Sequence, residues 1–333
     1  MWIFVIGGAG YVGSHCVKDL CEHGHEVVVY DDLSRGHRAA LHPDARLVAG
    51  DLADSGTLAA ALSSAKFEAA MHFAAFAYVG ESTEAPLRYY RNNVVNSLAL
   101  LEALQRVGLR KLVFSSSCAA YGIPRQVPIG EDAPRRPISP YGRTKVAVEW
   151  MLEDSASAWD LGSCSLRYFN ACGAAGDATI GEDHEPETHL IPLVLQAALG
   201  QRPRVTIFGT DYDTPDGTCI RDYIHVEDLA AAHRLALESI EPGAATAFNV
   251  GTGVGHSVRE IIAAAIRVTG RTIPVTEGPR RPGDPPKLVA DATRIGEHFR
   301  WRPKWTGIDE VIASAWRWHE SHPRGYNDAP NRG

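Results

Sequence analysis

Short apolar runs alternate with segments of helical periodicity along the first half of the chain. The apolar runs predict buried β-strands at 2–6, 26–30, 46–49, 69–73, 111–115 and 164–169. The periodic segments predict helices at 11–23, 54–64, 86–107 and 141–159. Because strands that alternate with helices pair in parallel through crossover connections, the pattern predicts an α/β fold with a doubly wound parallel sheet.

The second half of the chain is less regular. Stretches rich in proline and glycine occupy 173–192 and 280–286, and helical periodicity returns at 226–239, 257–269 and 308–319. We therefore expect a nucleotide-binding domain over residues 1–170. A smaller α/β lobe, mainly for substrate, is expected over 171–333, with a discontinuous boundary and some segments returning to the first domain.

The composition and net charge of the chain argue against several classes of function. The 333 residues are 45% hydrophobic and 22% charged, with a formal net charge of -7, which argues against a nucleic-acid partner and, more weakly, against an anionic membrane. No apolar run approaches the roughly 20 residues of a membrane span. The six cysteines contain no C-x-x-C pair, so reduced thiols and a cytoplasmic location are expected.

A glycine-rich turn, Gly7-Gly8-Ala9-Gly10-Tyr11-Val12-Gly13, joins the first predicted strand to the first helix. Glycines at Gly7, Gly10 and Gly13 would let the backbone approach a pyrophosphate at the helix N-terminus. Asp31 ends the second predicted strand, where a carboxylate accepts hydrogen bonds from a ribose hydroxyl and repels a 2′-phosphate. The context predicts a Rossmann domain that binds NAD in preference to NADP.

Tyr141 and Lys145 lie four residues apart on a predicted helix, one turn from each other on the same face. An ammonium beside a phenol favours the phenolate, so the pKa of Tyr141 is expected to fall toward working pH. Ser117 follows the strand before that helix, at the edge where doubly wound sheets bind ligands. Ser117, Tyr141 and Lys145 are therefore the candidate catalytic residues of a redox site.

These motifs, taken together with others along nearly the whole chain, resemble the UDP-glucose 4-epimerases (UDP-galactose 4-epimerases) of the extended short-chain dehydrogenase/reductase family. The most specific stretch runs from Asp216-Gly217-Thr218 to Arg221-Asp222-Tyr223-Ile224-His225-Val226. The other matching stretches are 7–15, 72–75, 79–82, 89–93, 114–117, 167–170, 207–212 and 316–319.

The resemblance implies a role for each matching position. Tyr141 would be the acid and base at the sugar 4-OH, Lys145 would tune it and hold the nicotinamide ribose, and Ser117 would bond the same hydroxyl. Besides the glycines, Tyr141 and Lys145, the implied NAD contacts are Tyr11, Val12, Asp31, Asp51, Leu52, Phe73, Ala74, Ala75, Asn92, Ser115 and Phe169. The implied UDP-sugar contacts, besides Ser117, are Asn170, His189, Leu190, Arg221, Arg281, Asp284 and Leu288. A homodimer built from the helices near 86–107 and 141–159 is also implied.

Three positions depart from the family pattern. Ala77 stands where the best-known bacterial members carry Lys, and His189 stands where they carry Asn. Leu288 occupies a position beside the sugar where Tyr often restricts the pocket to UDP-glucose and UDP-galactose, and where a small residue admits N-acetyl sugars. Turnover of UDP-N-acetyl sugars is therefore expected to be measurable but secondary.

Two alternative functions remain open at this point, and a third, a sugar-nucleotide dehydratase, is disfavoured. A 4,6-dehydratase needs a carboxylic acid and a carboxylate after the strand-end hydroxyl, but Ser117 is followed by Cys118-Ala119-Ala120. An epimerase of UDP-glucuronate or a UDP-pentose fits the same pattern, and a non-catalytic NAD-binding protein would have little need for both Tyr141 and Lys145. No metal site is expected, because His184 and His189 fall in a predicted loop.

Overall fold

The computed structural model describes residues 1–281 and 283–327. Its strands are β1 (Trp2–Ile6), β2 (Glu26–Asp31), β3 (Arg46–Ala49), β4 (Ala69–His72), β5 (Lys111–Ser115), β6 (Gly162–Tyr168), β7 (Asn170–Cys172), β8 (Val205–Phe208), β9 (Ile220–His225), β10 (Ala245–Val250), β11 (Gly255–Ser257), β12 (Val275–Gly278) and β13 (Lys287–Leu288). Its α-helices are α1 (Tyr11–Glu22), α2 (Ser55–Leu62), α3 (Val79–Glu84), α4 (Pro86–Tyr89), α5 (Asn96–Val107), α6 (Pro140–Trp159), α7 (Leu190–Ala198), α8 (Val226–Glu238), α9 (Val258–Thr269), α10 (Thr293–Phe299) and α11 (Ile308–Ser321).

Seven parallel strands form the main sheet in the order β10-β6-β5-β4-β1-β2-β3. The strand order reverses between β1 and β4, which leaves a crevice at the carboxyl ends of those strands. The expected doubly wound α/β sheet is thereby confirmed. The topology directs the loops after β1, β4 and β5 toward one edge.

β1 is apolar along its length because both faces of the sheet are covered by helices. Ile3 and Val5 join one buried cluster with residues of α1 and α8, whereas Phe4 and Ile6 join another with residues of α2, α5 and α6. Successive side chains of a strand point to opposite faces, so a continuous apolar run is the pattern that a two-sided cover requires. Each such side chain contributes about 1.5–3 kcal/mol on burial.

The second lobe contains two small sheets and its own core. β9 pairs with β7, β11 and β13, and β8 pairs with β12. A buried cluster from α7, α9 and α11 includes Ile191, Ile261 and Ile312. β10 and α8 come from the second half of the sequence, yet β10 pairs with β6 and α8 packs on α1. A lobe boundary at residue 170 stays a prediction.

One predicted helix differs in its internal hydrogen bonding. The segment 86–107 comprises α4, a π-helical segment at Tyr90–Val95, and α5. Within the π segment the Asn93 amide bonds both main-chain groups of Phe76 and the hydroxyl of Thr144, so tertiary contacts accompany the wider turn. α7 begins at Leu190, inside the stretch expected to be irregular. No described helix is long and apolar enough to cross a membrane.

Candidate active site

The glycine turn after β1 brings the backbone into close contact with itself. Gly7 has φ +76°, and a Cβ there would lie 2.7 Å from Cα of Ala74. A Cβ on Gly13 would strike the carbonyl oxygen of Gly7, so only glycine allows α1 to approach β1 this closely. Gly10 caps α1 without a side-chain hydrogen bond. The first-turn N–H groups therefore suit an anionic diphosphate.

Asp31 fixes the same turn from the end of β2. Its Oδ2 accepts a hydrogen bond from Ala9 N over 2.9 Å, and its Oδ1 accepts one from Leu33 N over 2.8 Å. Burial raises the pKa of this carboxyl, and the two main-chain donors partly offset that effect. Each carboxylate oxygen can accept more than one hydrogen bond, so Asp31 can bond a ribose hydroxyl while it holds the turn.

The candidate catalytic trio converges where β5 ends and α6 begins. The Ser139 hydroxyl caps α6 by accepting a hydrogen bond from Gly142 N over 3.1 Å, which places Tyr141 in the first turn. Lys145 Nζ donates to the carbonyl oxygen of Ser115 over 2.8 Å and lies 5.7 Å from the centroid of the Tyr141 ring. Tyr141, Lys145 and Ser117 are all buried. The fold therefore assembles the three groups that the sequence singled out.

The titration behaviour of Tyr141 differs from the expectation. Burial raises the pKa of Tyr141, the neighbouring Tyr168 adds to this rise, and the Ser117 hydrogen bond lowers it only in part. Burial also lowers the pKa of Lys145 to about 7. Among the described side chains burial therefore outweighs the Lys145 ammonium, and the expected lowering of the Tyr141 pKa would require the additional positive charge of bound NAD⁺.

Glu149, which was not predicted as a site residue, forms a buried hydrogen-bond network next to the catalytic trio. Its Oε1 accepts hydrogen bonds from the Ser116 hydroxyl (2.6 Å) and Arg167 Nε (2.9 Å), and its Oε2 accepts one from Arg167 Nη2 (2.7 Å). Burial would raise the pKa of Glu149, but Arg167 and Ser116 hold it below its usual value. The available signal was its spacing, four residues beyond Lys145 on the same helical face.

A second group of predicted residues meets near β9 and β13. Arg221 forms an ion pair with Asp284 and donates to the Pro285 carbonyl oxygen over 2.8 Å. The Arg281 guanidinium lies 4.3 Å from the centroid of the Phe208 ring. Leu288 is the parallel-register partner of Arg221. Two guanidinium groups in this region suit a diphosphate.

Leu288 also connects this group to the catalytic trio. It packs against a small buried cluster that includes Cys118 and Phe169. Cys118 directly follows Ser117, and Phe169 directly follows β6. The predicted sugar-specificity position therefore packs against a cluster that contains the residue after the predicted catalytic hydroxyl.

The remaining predicted residues lie at the ends of strands or helices. In the main sheet, Asp51, Leu52, Phe73, Ala74 and Ala75 follow β3 or β4, and Ser115 ends β5. Tyr11 and Val12 open α1, Asn92 lies in the π segment, Asn170 opens β7, His189 is the N-cap of α7, and Leu190 is its first residue. The Asn92 amide donates to Asn93 Oδ1 over 2.9 Å.

Comparison with known proteins identifies the class to which this arrangement belongs. Residues 3–251 match the model of the NAD dependent epimerase/dehydratase family. The UDP-glucose 4-epimerase of Lactobacillus helveticus is 49% identical over 329 residues, which span 98% of this chain and 100% of that one. The UDP-glucose 4-epimerase of Corynebacterium glutamicum is 48% identical over 95% of each chain.

Solved structures agree with these relatives. UDP-glucose 4-epimerase from Brucella ovis in complex with NAD is 47% identical, with a TM-score of 0.91 over 95% of this chain and 97% of that one. The enzyme from Bifidobacterium longum in complex with NAD⁺ and UDP is 35% identical, with a TM-score of 0.94 over 98% and 100%. The fold and the site define an NAD-dependent epimerase of the extended short-chain dehydrogenase type. The chain belongs to the UDP-glucose 4-epimerase family.

Proposed function

We propose that this protein interconverts UDP-galactose and UDP-glucose by inverting the sugar C4 through a transient 4-keto sugar. The observation that carries the proposal is the convergence of Ser117, Tyr141 and Lys145 at the carboxyl end of β5, in the same sheet whose first strand leads into the glycine turn. A phenol, an ammonium and a hydroxyl at that edge suit proton transfer at an alcohol that is being oxidised. The redox change is reversed in each turnover, so no net oxidation occurs.

The residues present fit NAD. The uncapped N-terminus of α1 and the close approach at Gly7 and Gly13 suit the pyrophosphate, and Asp31 suits a ribose hydroxyl. Asp51, Leu52, Phe73, Ala74, Ala75, Asn92, Ser115 and Phe169 would complete the contacts. When bound, NAD⁺ supplies a hydride acceptor for C4 and a positive charge near the phenol.

Tyr141 is the proton carrier in this scheme. Its phenolate oxygen takes the proton of the sugar 4-OH as C4 loses a hydride, and the same phenol returns that proton when the hydride returns to the opposite face. Ser117 would bond the 4-oxygen and hold it in reach of Tyr141. Lys145 is anchored by the Ser115 carbonyl, which keeps its ammonium one helical turn from the phenol.

The UDP part would be held while the sugar turns. Arg221 and Arg281 would bind the diphosphate, with Asn170, His189, Leu190 and Asp284 as further contacts. Arg221 is buried, and its ion pair with Asp284 fixes its direction. A firm anchor on the nucleotide leaves the 4-keto sugar free to rotate about its bond to the diphosphate.

Leu288 sets the expected substrate range. Leucine lacks the length of a tyrosine ring but is larger than cysteine or serine, and it packs near Cys118 and Phe169 at the proposed sugar site. We therefore infer that UDP-N-acetyl sugars are turned over measurably but more slowly than UDP-galactose. Hydrophobic pockets discriminate modestly between substrates that differ in one small group.

A homodimer in the cytoplasm completes the proposal. Leu87 is 81% exposed, Leu98 47% and Trp150 54%, and they lie on the helices α4, α5 and α6 that the family resemblance assigns to a dimer. Light scattering on the purified protein should give twice the 36.1 kDa of one chain. The free cysteines are consistent with a reducing compartment.

The test compares UDP-galactose and UDP-GalNAc as substrates of the purified protein, without added NAD. We expect clear turnover of UDP-galactose, and slower turnover of UDP-GalNAc, from retained cofactor. Absence of UDP-GalNAc turnover alone would reject the Leu288 inference. If neither substrate is turned over after NAD is added, the proposed substrate is rejected. UDP-glucuronate and UDP-pentoses would then be assayed.

A further inference from the structure

We propose that the loop before α7 holds a divalent transition metal ion, Zn²⁺ above all, in a structural site that is separate from the catalytic trio. Four side chains of the loop, Glu182, His184, Glu187 and His189, place one potential ligand atom each within 4.8 Å of all the others. The inference goes beyond the proposed function and does not depend on it, although His189 is also one of the proposed UDP contacts.

The distances among these atoms match a four-coordinate site. Glu182 Oε1 lies 3.3 Å from His184 Nδ1 and 2.9 Å from His189 Nδ1. Glu187 Oε2 lies 3.5 Å from His184 Nδ1, and its Oε1 lies 3.0 Å from His189 Nδ1. A tetrahedron with Zn–N and Zn–O bonds of about 2.0–2.1 Å has edges of about 3.3 Å. The two separations to Glu182 Oε1, and the two to Glu187, which involve a different carboxylate oxygen each, lie on either side of that value.

His184 provides an independent indication. Its Nδ1 is buried and makes no hydrogen bond with any described residue, although two carboxylate oxygens lie at ion-pair distance. Buried polar atoms without a partner are rare in native proteins. A metal ion among the four groups would give this nitrogen a ligand for its lone pair.

The donor set selects the kind of ion. Two imidazole nitrogens and two carboxylate oxygens suit Zn²⁺ and its first-row neighbours, whereas Mg²⁺ and Ca²⁺ take oxygen ligands almost exclusively. The Glu182 and Glu187 side chains are each only 5% exposed, so their two negative charges need compensation. One divalent cation balances them with both imidazoles neutral. Protons on both histidines are the competing solution.

Neighbouring groups orient two of the proposed ligands, Glu187 and His184. Glu187 Oε1 accepts hydrogen bonds from Thr188 N (2.6 Å) and His189 N (2.7 Å), which orient the carboxylate. The rings of Tyr11 and Tyr78 lie 6.1 Å and 6.3 Å from the His184 ring, both edge-on. Oriented ligands and an aromatic cover are features of protein metal sites.

The proposed metal site lies in a loop that contacts residues close to the glycine turn. The Tyr11 hydroxyl donates to the Gly173 carbonyl oxygen over 2.7 Å at the start of this segment, and Arg35 donates to the Glu185 carbonyl oxygen. His189 is the N-cap of α7. A metal ion would therefore fix the conformation of residues 182–189, the part of the loop that leads into α7. All four proposed ligands come from the protein, so the expected role is structural.

The experiment measures metal directly. Untagged protein is incubated with Zn²⁺, desalted and analysed by inductively coupled plasma mass spectrometry, and Co²⁺-loaded protein is examined for the visible absorption of tetrahedral cobalt. We expect about one ion per chain, as a four-ligand site predicts. His184→Asn and Glu187→Gln should lose the ion. His42→Asn, which removes a histidine beside the single carboxylate of Asp44, and Thr188→Ala should keep it.

Two results would overturn the proposal. The first is wild-type protein that retains far less than one Zn²⁺ or Co²⁺ ion per chain after desalting. The second is wild-type protein in which Zn²⁺ leaves the nitrogen NMR signals of His184 and His189 in their doubly protonated form. Because these readouts use the wild-type chain, a failure of either variant to fold would not rescue the proposal, and none of them requires epimerase activity.

Discussion

Lys145 donates a hydrogen bond from Nζ to the main-chain carbonyl oxygen of Ser115 over 2.8 Å. This contact joins α6, which carries Tyr141, to the end of β5, two residues before Ser117. The position of the ammonium is thus set by the sheet as well as by its own helix. The catalytic geometry depends on a main-chain group that no side-chain substitution removes.

Replacing Lys145 by methionine should reduce kcat by about 100-fold or more, because the phenolate of Tyr141 loses its nearby cation. KM for UDP-galactose should change much less, since Lys145 is not among the proposed UDP contacts. Initial rates and NAD content are measured together, with Lys66→Met as an exposed control. A Lys145→Met protein that keeps NAD and the wild-type kcat would remove Lys145 from the mechanism.

Replacing Asp31 by asparagine should weaken NAD binding by about tenfold or more, because one charged hydrogen-bond acceptor for the ribose is lost. The NAD that co-purifies with the protein is quantified by absorbance after denaturation. Asp32→Asn is the matched control, since the exposed Asp32 bonds only the loop nitrogen Ser34 N among the described residues. Equal NAD retention in the two variants would contradict the assignment of Asp31.

Replacing Leu288 by tyrosine should narrow the sugar pocket. The ratio of kcat/KM for UDP-GalNAc to that for UDP-galactose should fall about tenfold or more, a typical range for steric discrimination. Leu288→Met keeps the volume nearly constant and should leave the ratio close to wild type. If Leu288→Tyr leaves this ratio of kcat/KM values unchanged, the N-acetyl group of the substrate does not lie beside Leu288.

Replacing Glu149 by glutamine should destabilise the protein by about 3–5 kcal/mol at neutral pH, because Arg167 is left as a buried charge without its partner. The pKa of Glu149 is lowered in the folded protein. Its contribution is therefore present above the ordinary pKa of about 4.5 and is lost as the pH falls through the folded value. The difference in the free energy of unfolding between Glu149→Gln and the wild-type protein should therefore become smaller as the pH falls below about 4.5.

Urea denaturation at neutral and acidic pH measures that difference. Glu153→Gln is the control, because Glu153 is half-exposed and pairs with Arg135 on the surface side of the same helix. Exposed ion pairs contribute about 1 kcal/mol or less. If Glu149→Gln is no more destabilising than Glu153→Gln, the Glu149–Arg167 pair does not support the site as described.

The sequence predicted those parts of the molecule that depend on local pattern. The strands at 2–6 and 111–115 have the predicted bounds, because their apolar runs are buried in the middle of a sheet that is covered on both faces. The π segment at Tyr90–Val95 was not predicted, since its accompanying contacts to Phe76 and Thr144 are distant in sequence. Periodicity carries no information about such partners.

The same limit applies to the chemistry of the site. The spacing of Tyr141 and Lys145 predicted their proximity but not their burial, and burial decides the direction of both pKa shifts. His184 and His189 were placed in a loop, but their convergence with Glu182 and Glu187 depends on the path of that loop across α1 and α7. The role of Glu149 could not be predicted from helical spacing, because its partner Arg167 lies on β6 and not on the same helix.

The most direct test of the account follows the hydrogen at C4. UDP-galactose that carries deuterium at C4 is incubated with the wild-type protein in ordinary water, and the UDP-glucose formed is analysed by mass spectrometry. If a hydride leaves C4 and returns within the closed site, the product retains the deuterium at C4. Loss of the label to solvent would show that C4 is inverted by proton exchange, and would contradict the redox mechanism assigned to Ser117, Tyr141 and Lys145.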